Sequence, residues 1–139
     1  MRRIAFMLSA IAVLIAATAS PGFAGSTDPL FISLTSDDAH RSLMAISFGQ
    51  AQMQRGHPLT LYLSDKGVLV ADKKNAAQFA EQHQALADIA AKGGMVFVCP
   101  VCSQKFGVAA SDLPPGAKFG NPDTTGAALF QDGGKTLSW

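Results

Sequence analysis

A short apolar run, Met95-Val96-Phe97-Val98, leads directly into Cys99-Pro100-Val101-Cys102, the only two cysteines of the chain. A buried strand ending in paired thiols places sulfur chemistry at the C-terminal end of a strand. In open α/β sheets, ligands and reactive groups gather at that end. The pattern around the run supports such a sheet. Leu30-Phe31-Ile32-Ser33-Leu34 is an apolar, β-prone stretch, and Thr35-Ser36-Asp37-Asp38 after it offers several helix N-caps. Helical spacing then runs over about Ala39–Arg55, with Leu43, Ile46, Ala51 and Met53 among its apolar positions, and Gly56 stops it. Leu59-Thr60-Leu61-Tyr62-Leu63 reads as a second strand, Ser64 to Gly67 as a turn, and Val68-Leu69-Val70 as a brief extended piece. Asn75 is positioned to cap a second helix over about Ala76–Lys92, where Phe79, His83, Leu86 and Ile89 share one face. Gly93-Gly94 ends it, and Met95–Val98 is the third strand.

In the last third, Asp112 to Gly116 is a turn and Ala117-Lys118-Phe119 a short extended piece. Asn121-Pro122-Asp123 opens a short helix to about Gln131, and Lys135–Trp139 closes the chain as a strand. Strands alternating with helices of these lengths predict a parallel sheet covered on both faces. No GxGxxG or GxxxxGK[ST] pattern occurs, so no nucleotide cofactor is expected.

The first 24 residues are set apart from this pattern. Arg2 and Arg3 precede an uncharged run, Ile4 to Ala17, and Gly22 and Ala24 supply small residues at the spacing a leader peptidase requires. They read as a secretory signal peptide cut after Ala24. The run is shorter than the roughly 20 residues of a spanning helix. The expected domain is therefore 25–139, exported to the periplasm, with no membrane attachment after cleavage. Eleven basic residues stand against ten acidic, and loss of Arg2 and Arg3 leaves the two near balance. No basic patch stands out, which argues against a nucleic-acid partner.

Two cysteines are too few for a disulfide scaffold, and their close spacing points to a local site. With a helix starting after β-structure, Cys99 falls near N-cap, Pro100 at N1 where its missing N–H costs nothing, and Cys102 at N3. The positive end of a helix favours a thiolate there, and a thiolate is the nucleophilic form. Lys105 lies one turn on. Three other uses of the pair stay open: a structural disulfide, a thiol–disulfide redox couple, and a soft-metal site, since thiolates suit Cu(I) and Zn(II). A structural zinc needs about four ligands, and His40, His57 and His83 sit where packing or surface roles are ordinary. Met44, Met53 and Met95 occupy positions typical of a core. A thioredoxin arrangement does not fit: the pair follows the third strand, and no Trp precedes Cys99.

The ordered motifs resemble the DsrE/DsrF-like family, which includes Tus-type sulfur relay subunits. The resemblance rests on Phe31–Asp37, on Arg55-Gly56-His57-Pro58 through Ser64 with Lys66-Gly67-Val68, on Val96–Cys102 with Phe106-Gly107 and Leu113, and on Lys135–Trp139. It implies a three-layer flavodoxin-like α/β fold with a mostly parallel sheet of about five strands. It also implies assembly as homotrimers or hexamers, and sulfane sulfur carried as a persulfide on Cys99. Cys102 is then a resolving or second thiol. The implied partners are a sulfur donor or acceptor protein, or a small sulfur compound. Asp37, Ser64 and Asp65 follow the first two strands and are expected on the same rim as Cys99.

Overall fold

The computed structural model describes Gly25 and residues 27–139. The leader expected over residues 1–24 lies outside the described residues. Five strands, β1 (Leu30–Leu34), β2 (Leu59–Leu63), β3 (Met95–Val98), β4 (Lys118–Phe119) and β5 (Lys135–Ser138), form one sheet in the order β4-β3-β2-β1-β5. All neighbouring pairs are parallel. The helices are α1 (Ala39–Gln54), α2 (Ala80–Ala91), α3 (Pro100–Phe106) and α4 (Pro122–Leu129).

The strand sequences explain the layering. Side chains alternate between the two faces of a strand. On one face Ile32, Leu61 and Val96 stand in register across β1, β2 and β3. They are buried under Ile46 of α1 and Leu86 and Ile89 of α2. Each such side chain contributes about 1.5–3 kcal/mol by leaving water, so this face is the main source of stability. On the other face Phe31 and Phe97 pack with Ala128 of α4, Tyr62 and Met95. Two faces to cover explain why β1 and β3 read as near-continuous apolar runs. The result is the expected three-layer, flavodoxin-like arrangement, with a sheet that is wholly rather than mostly parallel.

Helix starts follow local chemistry. Asp38 caps α1, its carboxylate accepting the Arg41 N–H at 2.7 Å. Asn121 and Thr124 form a reciprocal capping box on α4, with Pro122 in the first turn. Buried Gln82 of α2 donates to the Ala39 carbonyl at 2.7 Å and to the Ser42 hydroxyl at 3.3 Å, tying α2 to the start of α1.

Two segments differ from the sequence-based expectation. Val68-Leu69-Val70 is not extended but lies in a 3-10 helix, Asp65–Ala71. β2 is flanked by β1 and β3, so the chain leaving it has no open edge to pair with, and it turns over the rim instead. Gly67 makes that turn possible. Its N–H donates to the carbonyls of Thr35 and Ser64, and a Cβ there would lie 2.2 Å from the Leu34 carbonyl oxygen. The second helix begins at Ala80, not Ala76. Asn75 donates its amide to the Leu69 carbonyl rather than capping a helix, and a short 3-10 turn, Lys73–Asn75, is held by the buried Asp72 carboxylate. The apolar face is kept: Phe79, Leu86 and Ile89 are buried and His83 is half-buried.

Gly67→Ala is expected to cost about 1–3 kcal/mol, as overpacking against backbone does. Urea unfolding checks this, and an unchanged midpoint would show that the rim accommodates a methyl group.

Candidate functional site

The register of the three central strands builds the site. Leu34, Leu63 and Val98 are aligned across β1, β2 and β3, so the chain leaves all three strands at one level. Ser64 N–H donates to the Leu34 carbonyl and Cys99 N–H to the Leu63 carbonyl, both at 2.9 Å. On the outer sides Gly120 N–H donates to the Val98 carbonyl, and Trp139 N–H to the Ser33 carbonyl. The Trp139 carbonyl accepts from the Thr35 N–H and hydroxyl. The C-terminal rim thus carries Gly120, Cys99, Ser64, Thr35 and Trp139 in spatial order.

Cys99 occupies N-cap of α3 with extended backbone, and Pro100 stands in the first turn. Gly107, left-handed at φ 72°, ends the helix and donates its N–H to the Ser103 carbonyl. This is the arrangement the Cys-Pro-x-Cys sequence calls for. Cys99 and Cys102 are joined as a disulfide with a Cα–Cα distance of 5.3 Å. The Cys102 N–H also donates to Cys99 Sγ at 3.2 Å. The two sulfurs differ in setting. Cys99 is 8% exposed and Cys102 is half-buried, while Val101 between them is 74% exposed. The pair therefore lies near the surface, with Cys99 the more buried of the two residues.

Asp37, Ser64 and Asp65 do follow the strand ends at this rim. Among the described residues, no hydrogen bond joins their side chains to the cysteine pair. Asp65 is the one described non-glycine residue with positive φ, at 47°, and begins the 3-10 helix over the rim. Lys105 Nζ lies 5.4 Å from the Phe106 ring centroid.

The histidines are dispersed. His40 is exposed, and His57 Nδ1 meets the Asp28 carbonyl at 2.9 Å. Burial holds His83 below the usual imidazole range, and its Nε2 has no hydrogen-bond partner among the described residues. Met53 packs on the main core and Met95 beneath α4, whereas Met44 is exposed, contrary to the core position expected for it. Among the described residues, no group of three or more His, Cys, Asp or Glu is placed to hold a metal, and no helix is long and apolar enough to cross a membrane.

Two features escaped the sequence. Asp112 receives Lys74 at 2.8 Å and Lys73 at 3.0 Å. The same ammonium groups reach the Gly107 and Ser111 carbonyls. This clamp fixes the segment that leaves α3. The Lys-Lys pair was visible, but nothing in it named a partner so far along the chain. The second is Ser103, next to the disulfide, whose buried hydroxyl has no hydrogen-bond partner among the described residues.

The sequence pattern of the DsrE/DsrF-like family matches residues 30–137. The chain belongs to the DsrE/DsrF-like family. The E. coli protein ychN shares the fold with a TM-score of 0.65 at 16% identity, over 81% of this chain and 99% of that one. MTH1491 from Methanobacterium thermoautotrophicum gives 0.60 at 15% identity over the same shares. BT1422 from Bacteroides thetaiotaomicron gives 0.56 at 20% identity over 81% and 95%. At these identities the likeness is one of fold. No curated protein matches the chain at a significant level.

Two outcomes are expected. The Lys74 and Lys73 ammonium groups pull Asp112 from 3.8 to about 2. A depressed carboxyl stabilises the fold above its unfolded pKa, and that contribution is lost as pH falls through the folded value. The parent should thus lose stability relative to Asp112→Asn as pH drops from about 4 to about 2. Thermal melts across that range check it, and parallel curves would refute it. Ser103→Ala removes an unpaired buried hydroxyl and should leave the melting temperature equal or higher; a clear loss would mean the hydroxyl has a partner.

Proposed function

We propose that this DsrE/DsrF-like domain is a sulfur carrier, taking sulfane sulfur as a persulfide on Cys99. The observation that carries the reading is the position of the cysteine pair, directly after β3 on the C-terminal rim of an all-parallel sheet. The family is associated with sulfur relay, and the rim is where α/β sheets present reactive groups. A reduced Cys99 would have the Cys102 N–H as a donor to its sulfur, which favours the thiolate.

The leader-like first 24 residues support a periplasmic location, with small sulfur compounds or exported proteins as donor and acceptor. The second sheet face supports self-association as a homotrimer or hexamer. Among the described residues only α4 covers it, Leu129 is partly and Phe130 81% exposed beside it, and an open hollow there is lined by Phe31, Tyr62 and Leu129. A second reading, a redox or structural disulfide, is favoured by the Cys99–Cys102 bond itself.

The test is intact mass of reduced mature protein before and after a polysulfide donor. The parent and Cys102→Ser should each gain sulfur that a reductant removes, and Cys99→Ser should gain none. Equal loading of Cys99→Ser would overturn the assignment. Parent protein inert when reduced would leave the disulfide as the function of the pair.

A further inference from the structure

The closed disulfide is the oxidised state of the site, and as such it cannot accept sulfane sulfur on a free thiol. It can accept sulfur of a different oxidation level. We propose that the Cys99–Cys102 disulfide is itself the acceptor for hydrosulfide, attacked at Cys102, with Cys99 as leaving thiolate. The inference rests on the carrier reading above and names the substrate class that loads the carrier when its thiols are oxidised.

The direction of attack follows from the geometry. Thiol–disulfide exchange requires the nucleophile to approach in line with the S–S bond, from the side opposite the leaving sulfur. Cys102 is the more open of the two targets, being half-buried and next to the exposed Val101. Cys99 is the more enclosed, 8% exposed and packed in the main core. The leaving group is decided by the same arrangement. A thiolate with the lower pKa leaves faster. The Cys102 N–H already lies 3.2 Å from Cys99 Sγ, so charge developing on that sulfur meets a donor in place. A half-buried sulfur also favours the smallest sulfur nucleophile over a bulky thiol.

The step balances. HS⁻ forms a bond to Cys102 Sγ, the Cys99–Cys102 bond breaks, and its electron pair stays on Cys99. The products are a Cys102 persulfide and a Cys99 thiolate. The incoming sulfur is oxidised to the sulfane level and the disulfide is the oxidant. Attack of the Cys99 thiolate on the outer persulfide sulfur then moves it to Cys99 and leaves Cys102 as thiolate. That second transfer is redox-neutral and ends in the species the carrier reading requires. Repeated loading needs a thiol oxidant, a disulfide compound, to re-close the pair after delivery.

The test uses oxidised full-length mature protein and sodium sulfide without oxygen. Intact mass should show one H₂S equivalent added to the oxidised protein, and cyanide should release that sulfur as thiocyanate. Protein reduced beforehand, and Cys102→Ser, which lacks the disulfide, should gain nothing from sulfide alone, although Cys102→Ser still loads from polysulfide. Rapid alkylation and fragment mass analysis should find the first sulfur on Cys102 and the alkyl group on Cys99. Oxidised protein inert to sulfide while reduced protein loads from polysulfide would overturn this inference and leave the carrier reading intact. Equal uptake from sulfide by reduced and oxidised protein, or first appearance of sulfur on Cys99, would also overturn it.

Discussion

Everything at the candidate site depends on the alignment of Leu34, Leu63 and Val98 across three parallel strands. Parallel pairing sends each strand out of the sheet in the same direction. A shared final row makes their next residues neighbours on one rim. A slip of one residue in β3 would turn its side chains to the opposite faces, taking Val96 and Val98 out of the main core. It would also break the Cys99 N–H bond to the Leu63 carbonyl. The hydrophobic pattern that stabilises the sheet and the position of the sulfur pair are therefore set by one constraint.

The rim is built tightly around that row. Gly67 lets the chain cross against the Leu34 carbonyl, and the 3-10 helix that contains it packs against α3. The two lysines that follow hold Asp112 and the Gly107 carbonyl. α3 is short, and an isolated helix of that length is not stable in water. It is held in place by tertiary contacts: the 3-10 helix on one side, the core under Cys102 and Phe106, and the lysine clamp at its end. The cysteine pair thus sits on a braced element, not on a free loop, with Cys99 held deeper than Cys102.

The parts legible in the sequence were those governed by local rules. β1, β2, β3 and β5 stood out as short apolar or β-branched runs. α1 announced itself by Asp38 and Gly56, α4 by Asn121-Pro122, and α3 by the match of Cys99 and Pro100 to N-cap and first-turn roles. Residues 68–70 and the start of α2 depart from the local pattern because their conformation is set from a distance. Val68 and Val70 carry strand propensity, but β2 has no free edge beside them. Asn75 is a good cap residue, but Leu69 takes its amide. The Lys73–Lys74–Asp112 clamp is a contact between distant segments with no periodic signature. That Lys105 reaches the Phe106 ring is likewise a side-chain choice that spacing does not reveal.

The central claim is that the rim cysteines carry sulfur and that Cys99 holds it. The most direct measurement is localisation of isotope-labelled sulfane sulfur by fragment mass analysis after the reduced protein has equilibrated with a labelled polysulfide. The account predicts label on Cys99 that a reductant releases. Label absent from both cysteines, or retained on Cys102 alone, would contradict it.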